Sequence, residues 1–367
     1  MDIWVFDGDT LDPLGILQTP TELTFTELHR GAGNAQVWLP MTDTNIALCR
    51  IGNYIWIKEN DFTFEIELIQ TESSTEGSVI MIQGNGLEGI LSKRIIWGQY
   101  IKSAKPVALI EGLINDQMVN PTDENRVYPH LSISHYTDEP ADTKSVQYQS
   151  TGGSFDLEMQ SLTELYGYGY RVKFDPGEKT LVFKLVKGVD RTIGQSVVSP
   201  VVLSTDFENL LTSEYTTDHL SYRNVALVQG EGTGSERTSV IVGGEISGRE
   251  RRELYVDARD LQSVDNAGME MSAEDYQALL TERGNSKLDE TKIAENFETS
   301  VNTEGNMQYG RDYYLGYTVT VQDKRLGLQL SALVSEVEHT YTNKGHTVNI
   351  TFGYGQPTLI DKLKRRD

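Results

Sequence analysis

Residues 54–68 have the sequence YIWIKENDFTFEIEL, in which two apolar runs flank a short polar segment. From Phe62 to Leu68, apolar side chains alternate with threonine and glutamate, which is a period of two. That period is typical of a strand with one face in a core and the other in water. Residues 58–61 supply the polar turn between the two runs. The stretch therefore predicts an antiparallel β-hairpin.

The same pattern continues on both sides of this hairpin and returns at the far end of the chain. Residues 78–83 form a further predicted strand, so the first ninety or so residues favour a small barrel or sandwich. Residues 333–341 and 347–352 predict two strands around a turn that contains Gly345. In this second hairpin Val337 should face inward, and Glu336 should face water.

The middle of the chain has a helical period. Residues 103–119 carry apolar side chains three and four positions apart, which predicts a helix with Pro106 in its first turn. Ser154 is a predicted N-cap for a second helix, which is marked by three leucines. These are Leu157, Leu162 and Leu165. Residues 170–186 then predict a hairpin around an Asp-Pro-Gly turn, so this region is α+β.

Beyond Pro200 the β pattern resumes and is interrupted by an acidic insert. Residues 223–230 and 239–242 predict strands. Ser272 is a predicted N-cap with Asp275 at the capping-box position, and residues 287–299 predict a second helix. The insert therefore predicts a pair of helices.

The predicted fold class is α+β and predominantly β. It has two small antiparallel β-barrel-like domains, an α+β domain and a helical insert. The predicted domains are an N-terminal β-barrel-like domain at 1–100, an α+β domain at 101–200, and a second β-barrel-like domain at 201–367. The helical insert lies at about 250–300.

Composition limits the class of protein. The chain has 367 residues, of which 38% are hydrophobic and 23% are charged, as expected for a globular protein with real cores. No apolar run approaches the ~20 residues of a membrane span, and the acidic N-terminus does not resemble a secretory signal. The net charge of −22 disfavours adhesion to nucleic acid or to anionic lipid.

One motif resembles a phosphate-binding loop. Residues 84–89 have the sequence GNGLEG, which matches the G-x-G-x-x-G pattern of dinucleotide folds. A dinucleotide fold has a buried parallel sheet, whereas the preceding strands alternate like an exposed antiparallel one. We therefore expect a strand-to-helix turn that uses the freedom of glycine at positive φ, and no bound cofactor.

Other candidate groups are isolated. His130 and His135 would be two metal ligands without a matching third, and alternate residues of a strand explain them better. Cys49, the single cysteine, follows the apolar residues 46–48 and is expected to be buried in a strand. No pattern selects a carboxylate pair among the 54 acids. We predict no catalytic residue and no metal.

Several segments are similar to those of a known family. They are GAGNAQVWLP at 31–40, the G-x-x-L-x-x-x-L-x-x-R-I pattern within 79–96, LYVDARD at 254–260, YLGYTV at 314–319, and residues 335–353. In their order and spacing they resemble the tail hub proteins of long-tailed phages of Gram-positive hosts, which are related in fold to the baseplate hub of contractile tails. The family commonly has an acidic residue after the Leu-Gly pair, where this chain has Tyr317.

The resemblance implies a structural role without enzymatic activity. Three chains would form a ring of six similar barrels, which adapts the six-fold tail tube to the tail tip, and the domain at 1–100 would dock on the tube. Its implied partners are two further copies of the chain, the tail tube or distal tail protein, and a tip, fibre or spike protein. DNA would pass through the ring without specific binding, and an acidic lumen fits that passage. The protein would reside in the virion after assembly in the host bacterial cytoplasm, with no membrane insertion.

Two alternatives and one candidate contact remain open. A tail-associated cell-wall hydrolase would need a clustered acid pair or metal site, and zymography would reveal it. A host-glycan-binding module would need exposed aromatic residues in a groove, and a glycan array would reveal that. The end of the chain is locally basic, and we expect these residues to contact the tip or a neighbouring subunit, or to be a solvated terminus. They are Lys362, Lys364, Arg365 and Arg366.

Overall fold

The structure is a computed structural model, and it describes residues 1–74, 77–212, 214–264, 270–302, 305–324 and 327–353. The N-terminal part contains β1 (Ile3–Phe6), β2 (Pro13–Ile16), β3 (Glu22–Leu28), β4 (Asn34–Pro40), α1 (Asp43–Leu48), β5 (Tyr54–Ile57), β6 (Phe62–Glu65), β7 (Leu68–Ser74) and β8 (Gly77–Asn85). The middle part contains β9 (Gln99–Ala104), α2 (Pro106–Ile114), β10 (Leu131–Ser134), β11 (Val146–Thr151), α3 (Phe155–Leu165), β12 (Gly169–Asp175) and β13 (Thr180–Val186).

The C-terminal part is again rich in strands. It contains β14 (Asp190–Arg191), β15 (Val202–Ser204), β16 (Glu214–Asp218), β17 (Val225–Gln229), β18 (Ser239–Val242), β19 (Glu253–Asp257), α4 (Ala273–Asp289), β20 (Ala294–Ser300), β21 (Thr318–Asp323), β22 (Leu328–Thr342) and β23 (Gly345–Gly353). The predicted class, α+β and predominantly β, is confirmed. In the described ranges the strands form open sheets and none of them closes into a complete barrel.

The hairpin predicted from residues 54–68 is present. β5 and β6 pair antiparallel, with Trp56 opposite Thr63. The predicted strand continued to Leu68, but the ladder ends after Glu65 and the chain enters β7, which pairs with β8. Leu68 is therefore exposed, and its predicted inward orientation is wrong.

One large sheet contains strands from both ends of the chain. Eight of its strands follow the order β16-β20-β23-β22-β3-β4-β8-β7, and β21 joins β22 to β14 and β15. The pairing of β3 with β22, with Phe25 opposite His339, joins the N-terminal part to the C-terminal part. Buried apolar side chains form separate clusters on the two sides of this junction, one around Phe25 and Phe64 and one around Phe297 and Phe352.

The core of the middle part lies between its helices and the β12–β13 hairpin, and it also includes Phe6, Leu11 and Tyr54 of the N-terminal part. The predicted first helix starts later than expected, at Pro106, because the residues just before it belong to β9, which pairs with β11. Its last turn, Asn115–Val119, is a π-helix. The second predicted helix is present as α3, in which Leu162 is buried and Leu157 is exposed.

The acidic insert contains one long helix packed on a small sheet. Ser272 caps α4 as predicted, because its side chain accepts a hydrogen bond from the backbone N–H of Asp275. The second predicted helix, at 287–299, is wrong. Its first residues end α4, and the remainder forms β20, which pairs with β16 and β23.

Candidate functional site: a cleft where three parts of the chain meet

A cleft of about 930 Å³ lies in the described part of the chain. Its walls come from the segment after β3, from β11, from one face each of α3 and α4, and from β22. Sequence positions as distant as Leu28 and Glu336 line it. The cleft is therefore a product of the β3–β22 pairing and of the docking of the middle part onto it.

The segment that follows β3 holds these parts together. The backbone N–H of His29 donates to the carbonyl of Ser335 at 2.8 Å, and Arg30 Nε donates to the carbonyl of Tyr168 at 2.7 Å. A Cβ atom added at Gly169 or Gly316 would lie within 2.6 Å of the His29 ring, so only glycine fits at either position. Burial first, and then Arg30 and Arg171, lower the pKa of His29 to about 3, so the imidazole is neutral near pH 7.

The cleft is acidic. Nine carboxylate side chains and four cationic side chains line it, which leaves an excess of five formal negative charges. The carboxylates are Glu88, Asp156, Glu158, Glu164, Asp218, Glu282, Asp289, Glu290 and Glu336, and the cations are Arg30, Arg283, Lys287 and Lys292. Burial, together with Glu338 and Glu298, raises the pKa of Glu336, which was predicted to face water. A cationic ligand would relieve this concentration of negative charge.

Two of these carboxylates accept hydrogen bonds from neutral partners in the described ranges. Glu158 accepts hydrogen bonds from Tyr148 OH at 2.7 Å and Ser150 Oγ at 3.2 Å, and Glu282 accepts one from Tyr166 OH at 2.5 Å. Burial, and then the nearby Glu158 carboxylate, raises the pKa of Tyr148. These phenols remain protonated, so they orient the carboxylates without neutralising them.

The wall of the cleft also holds an unused acceptor. Gln149 is 2% exposed, and its Nε2 donates to the carbonyl of Asp260 at 3.3 Å. Its Oε1 has no hydrogen-bond partner among the described residues. A buried acceptor without a donor costs free energy, so the site favours a ligand or a water molecule that carries N–H or O–H groups.

The glycine motif at 84–89 is a tight turn between β8 and a 3-10 helix, Leu87–Lys93. The prediction that it uses positive φ is wrong, since Gly84, Gly86 and Gly89 all have ordinary φ values. The physical requirement is close approach: a Cβ at Gly84 would lie 1.6 Å from the carbonyl oxygen of Glu65. The turn packs against the protein itself, and nothing in its geometry forms a phosphate site.

The two histidines considered as candidate metal ligands contact different acceptors. His130 Nε2 contacts the carbonyl of Asp9 at 2.9 Å, and His135 Nδ1 contacts Glu111 Oε2 at 2.6 Å. Within the described ranges no group of three or more histidine, cysteine, aspartate or glutamate side chains is arranged to hold a metal ion. The arrangement pairs each imidazole with a local acceptor.

Cys49 lies at the C-terminal cap of α1, so its predicted strand context is wrong. It is buried as expected, and burial raises the pKa of its thiol to about 11. The protonated thiol is a weak nucleophile, so Cys49 packs as a small apolar residue.

An exposed apolar row on a small sheet was not predicted from the sequence. Leu227, Ile241 and Tyr255 are direct neighbours across β18, β17 and β19, and they face away from α4. They are 39%, 58% and 56% exposed. The sequence could have indicated this row, because these strands have apolar residues on both faces and not on one only. Exposed apolar rows of this kind mark protein contact surfaces.

Charged groups lie at one end of this row. Arg237 donates to Tyr255 OH and to Asp257 Oδ1, both at 2.8 Å, and Arg259 pairs with the other oxygen of Asp257 at 2.5 Å. Hydrogen bonds from Arg259 and Arg237 hold the pKa of Asp257 well below its usual range. An apolar centre with an arginine-rich border is the composition typical of a protein interface.

The four basic residues predicted to contact a neighbour, Lys362, Lys364, Arg365 and Arg366, lie outside the described residues. None of the described helices combines the length and the apolar character needed to span a bilayer.

Residues 2–354 match the model of the family described as Siphovirus ReqiPepy6 Gp37-like protein. Three solved structures have a similar fold. A tail protein from Neisseria meningitidis MC58 has a TM-score of 0.57 and 12% identity over 96% of this chain and 97% of its own. The 43 kDa tail protein of prophage MuSo2 from Shewanella oneidensis has a TM-score of 0.55 and 12% identity over the same shares. Prophage tail protein gp18 from Listeria monocytogenes EGD-e has a TM-score of 0.56 and 11% identity over 100% of this chain and 98% of its own.

No curated protein sequence matches the chain. The structural likenesses are at identities that show a common fold alone, and the family match spans nearly all of the sequence. The predicted membership of a phage tail family is confirmed. The chain belongs to the Siphovirus ReqiPepy6 Gp37-like family of phage tail proteins.

Proposed function

We propose that the chain is the hub of the phage tail, a structural protein without enzymatic activity. Three copies would form a ring that adapts the six-fold tail tube to the tail tip and lets DNA pass. The observation that carries this proposal is the family match at 2–354, supported by the tail-protein fold along the whole chain. The protein would be a virion component at the tail tip that is assembled in the host cytoplasm.

We propose that each chain contains two similar β-rich halves. One sheet runs through two separate apolar cores, one N-terminal and one C-terminal. We propose domains at 1–100, 101–200 and 201–367, with the helical insert at about 250–300. Two β-rich halves in each of three copies would give six similar units, which matches the symmetry of a six-fold tube.

The apolar row of Leu227, Ile241 and Tyr255 is our proposed contact between copies. It combines three adjacent exposed apolar side chains with an arginine border. That combination is typical of a protein contact surface. The tail tube or distal tail protein and a tip, fibre or spike protein are the other proposed partners. For the tip or a neighbouring subunit we propose contact through Lys362, Lys364, Arg365 and Arg366.

Native mass measurement of the purified chain tests the ring. Each chain weighs 41.1 kDa, so a trimer would weigh about 123 kDa. Ile241→Asp places a charge in the proposed contact and should shift the mass toward 41.1 kDa. Ile51→Asp, at another highly exposed isoleucine, is the matched control and should leave the trimer intact.

Two results would contradict these proposals separately. A chain that remains monomeric in assembled tails refutes the ring. A trimer that survives Ile241→Asp with unchanged stability refutes this sheet face as the contact, and leaves the ring in place.

A further inference from the structure

The lining of the acidic cleft favours a particular kind of ligand. Its lining carries five excess negative charges, and its wall holds the unpaired Oε1 of Gln149, which is 98% buried. The negative charge favours a cationic ligand, and the unpaired Gln149 oxygen favours a ligand with an N–H donor. Lysine and arginine side chains meet both requirements.

A segment with that chemistry belongs to the chain itself. Residues 362–366 have the sequence KLKRR, which contains four cations in five positions of a protein whose net charge is −22. The guanidinium groups of Arg365 and Arg366 offer several N–H donors each, in a geometry that suits carboxylates. The acidic cleft and this basic segment are therefore complementary in charge and in hydrogen bonding.

The segment begins close to the cleft. Glu336 lines the cleft and pairs with Thr351 of β23, and Ser335 Oγ donates to the carbonyl of Thr351 at 3.0 Å. Neighbouring strands are about 5 Å apart, so Gly353 lies within roughly 10 Å of the cleft rim. Nine residue steps lead from Gly353 to Lys362, and an extended chain of that length spans at most about 30 Å. The cleft lies well within this reach.

We propose that in the free chain this cleft binds the basic segment 362–366 of the same chain. Tethering favours the chain's own segment over that of another copy, because a short tether gives it a local concentration of about a millimolar or more. The inference concerns a contact within one chain, so it does not rest on the ring. A tip protein that binds segment 362–366 would remove this segment from the cleft.

Fluorescence anisotropy with a labelled peptide of residues 354–367 tests the proposal. The acceptor is the full chain with Lys362→Gln, Lys364→Gln, Arg365→Gln and Arg366→Gln, whose own segment no longer competes. We expect the peptide to bind this tail-neutral chain and to bind the wild-type chain about tenfold more weakly, since the wild-type cleft is occupied. Added salt should weaken binding.

Variants of the cleft distinguish it from other acidic surfaces. Glu282→Gln with Asp156→Asn removes two lining charges and keeps their acceptor oxygens, and should weaken peptide binding to the tail-neutral chain about tenfold. Glu274→Gln, an exposed acid of α4 outside the cleft, should leave it unchanged.

The proposal is overturned if the tail-neutral chain does not bind the peptide, or if both chains bind it equally. It is also overturned if the Glu282 and Asp156 variants bind as before. Self-association of the wild-type chain that disappears on tail neutralisation would assign the cleft to the segment of a second copy, and so would refute binding within one chain.

Discussion

Single buried polar residues mark the places where the parts of this chain join. His29 lies between Gly169 of the middle part and Gly316 of the C-terminal part, at distances that admit no further atom. His339 lies at the β3–β22 junction, stacked on Phe25 with ring centroids 4.8 Å apart. Both imidazoles have depressed pKa values because burial penalises their charged form. The contacts between these parts of the chain are therefore built around neutral histidines.

At the residue scale, His339 should make the stability of the chain depend on pH. It is 5% exposed and faces Glu27, Tyr309 and His346, and burial, with a smaller effect of His346, lowers its pKa to about 4. The unfolded chain takes up the proton from about pH 6.5 downward, whereas the folded chain resists it until about pH 4. Stability should therefore fall over this range, by about 3 kcal/mol at most.

Denaturant unfolding at pH 7, 6 and 5 measures this effect. His339→Gln removes the titrating group, so its stability should fall less steeply over the range than that of the wild type. His219→Gln changes an exposed histidine and should retain the wild-type slope. Burial raises the pKa of the neighbouring Glu27, whose contribution has the opposite sign and is present in all three chains. Equal slopes in the wild type and His339→Gln would contradict the assignment.

At the scale of elements, local pattern predicted those whose partners are near in sequence. The β5–β6, β12–β13 and β22–β23 hairpins follow from alternation and turn residues, which act over a few positions. β20 was mistaken for a helix because the alanine and glutamate residues within 287–299 favour helix locally. Its partners, β16 and β23, are tens of residues away and decide its conformation.

The cap of α4 should control the order of the helical insert. Ser272 Oγ accepts the Asp275 backbone N–H at 3.1 Å and donates to the Asp275 carboxylate at 2.7 Å. Ser272→Ala removes both bonds and should destabilise the helix by about 1 kcal/mol. Hydrogen exchange of the α4 amides should accelerate several-fold. Ser286→Ala, in the helix interior, should not accelerate it, because alanine has the higher helix propensity. Unchanged exchange in Ser272→Ala would contradict this role of the cap.

At the scale of the whole molecule, the cleft could not be predicted from the sequence. Its lining extends from Leu28 to Glu336, and each contributing segment is unremarkable alone. Only the β3–β22 pairing and the contact of α3 with α4 bring those carboxylates together. The net charge of −22 was evident from the outset, but its concentration in one place depends on long-range contacts.

The charge of the assembly should keep DNA from adhering to it. Each chain has a net charge of −22, so three copies carry −66, and a polyanion gains no counterion release on approaching such a surface. We expect no binding of labelled duplex DNA at micromolar protein in about 150 mM salt, measured by fluorescence anisotropy. Any weak binding at about 20 mM salt should come from the basic segment 362–366 and should disappear in the tail-neutral chain. Micromolar, salt-sensitive affinity that persists at the higher salt would contradict a ring through which DNA passes freely, because a strand held at the wall would slow its own passage.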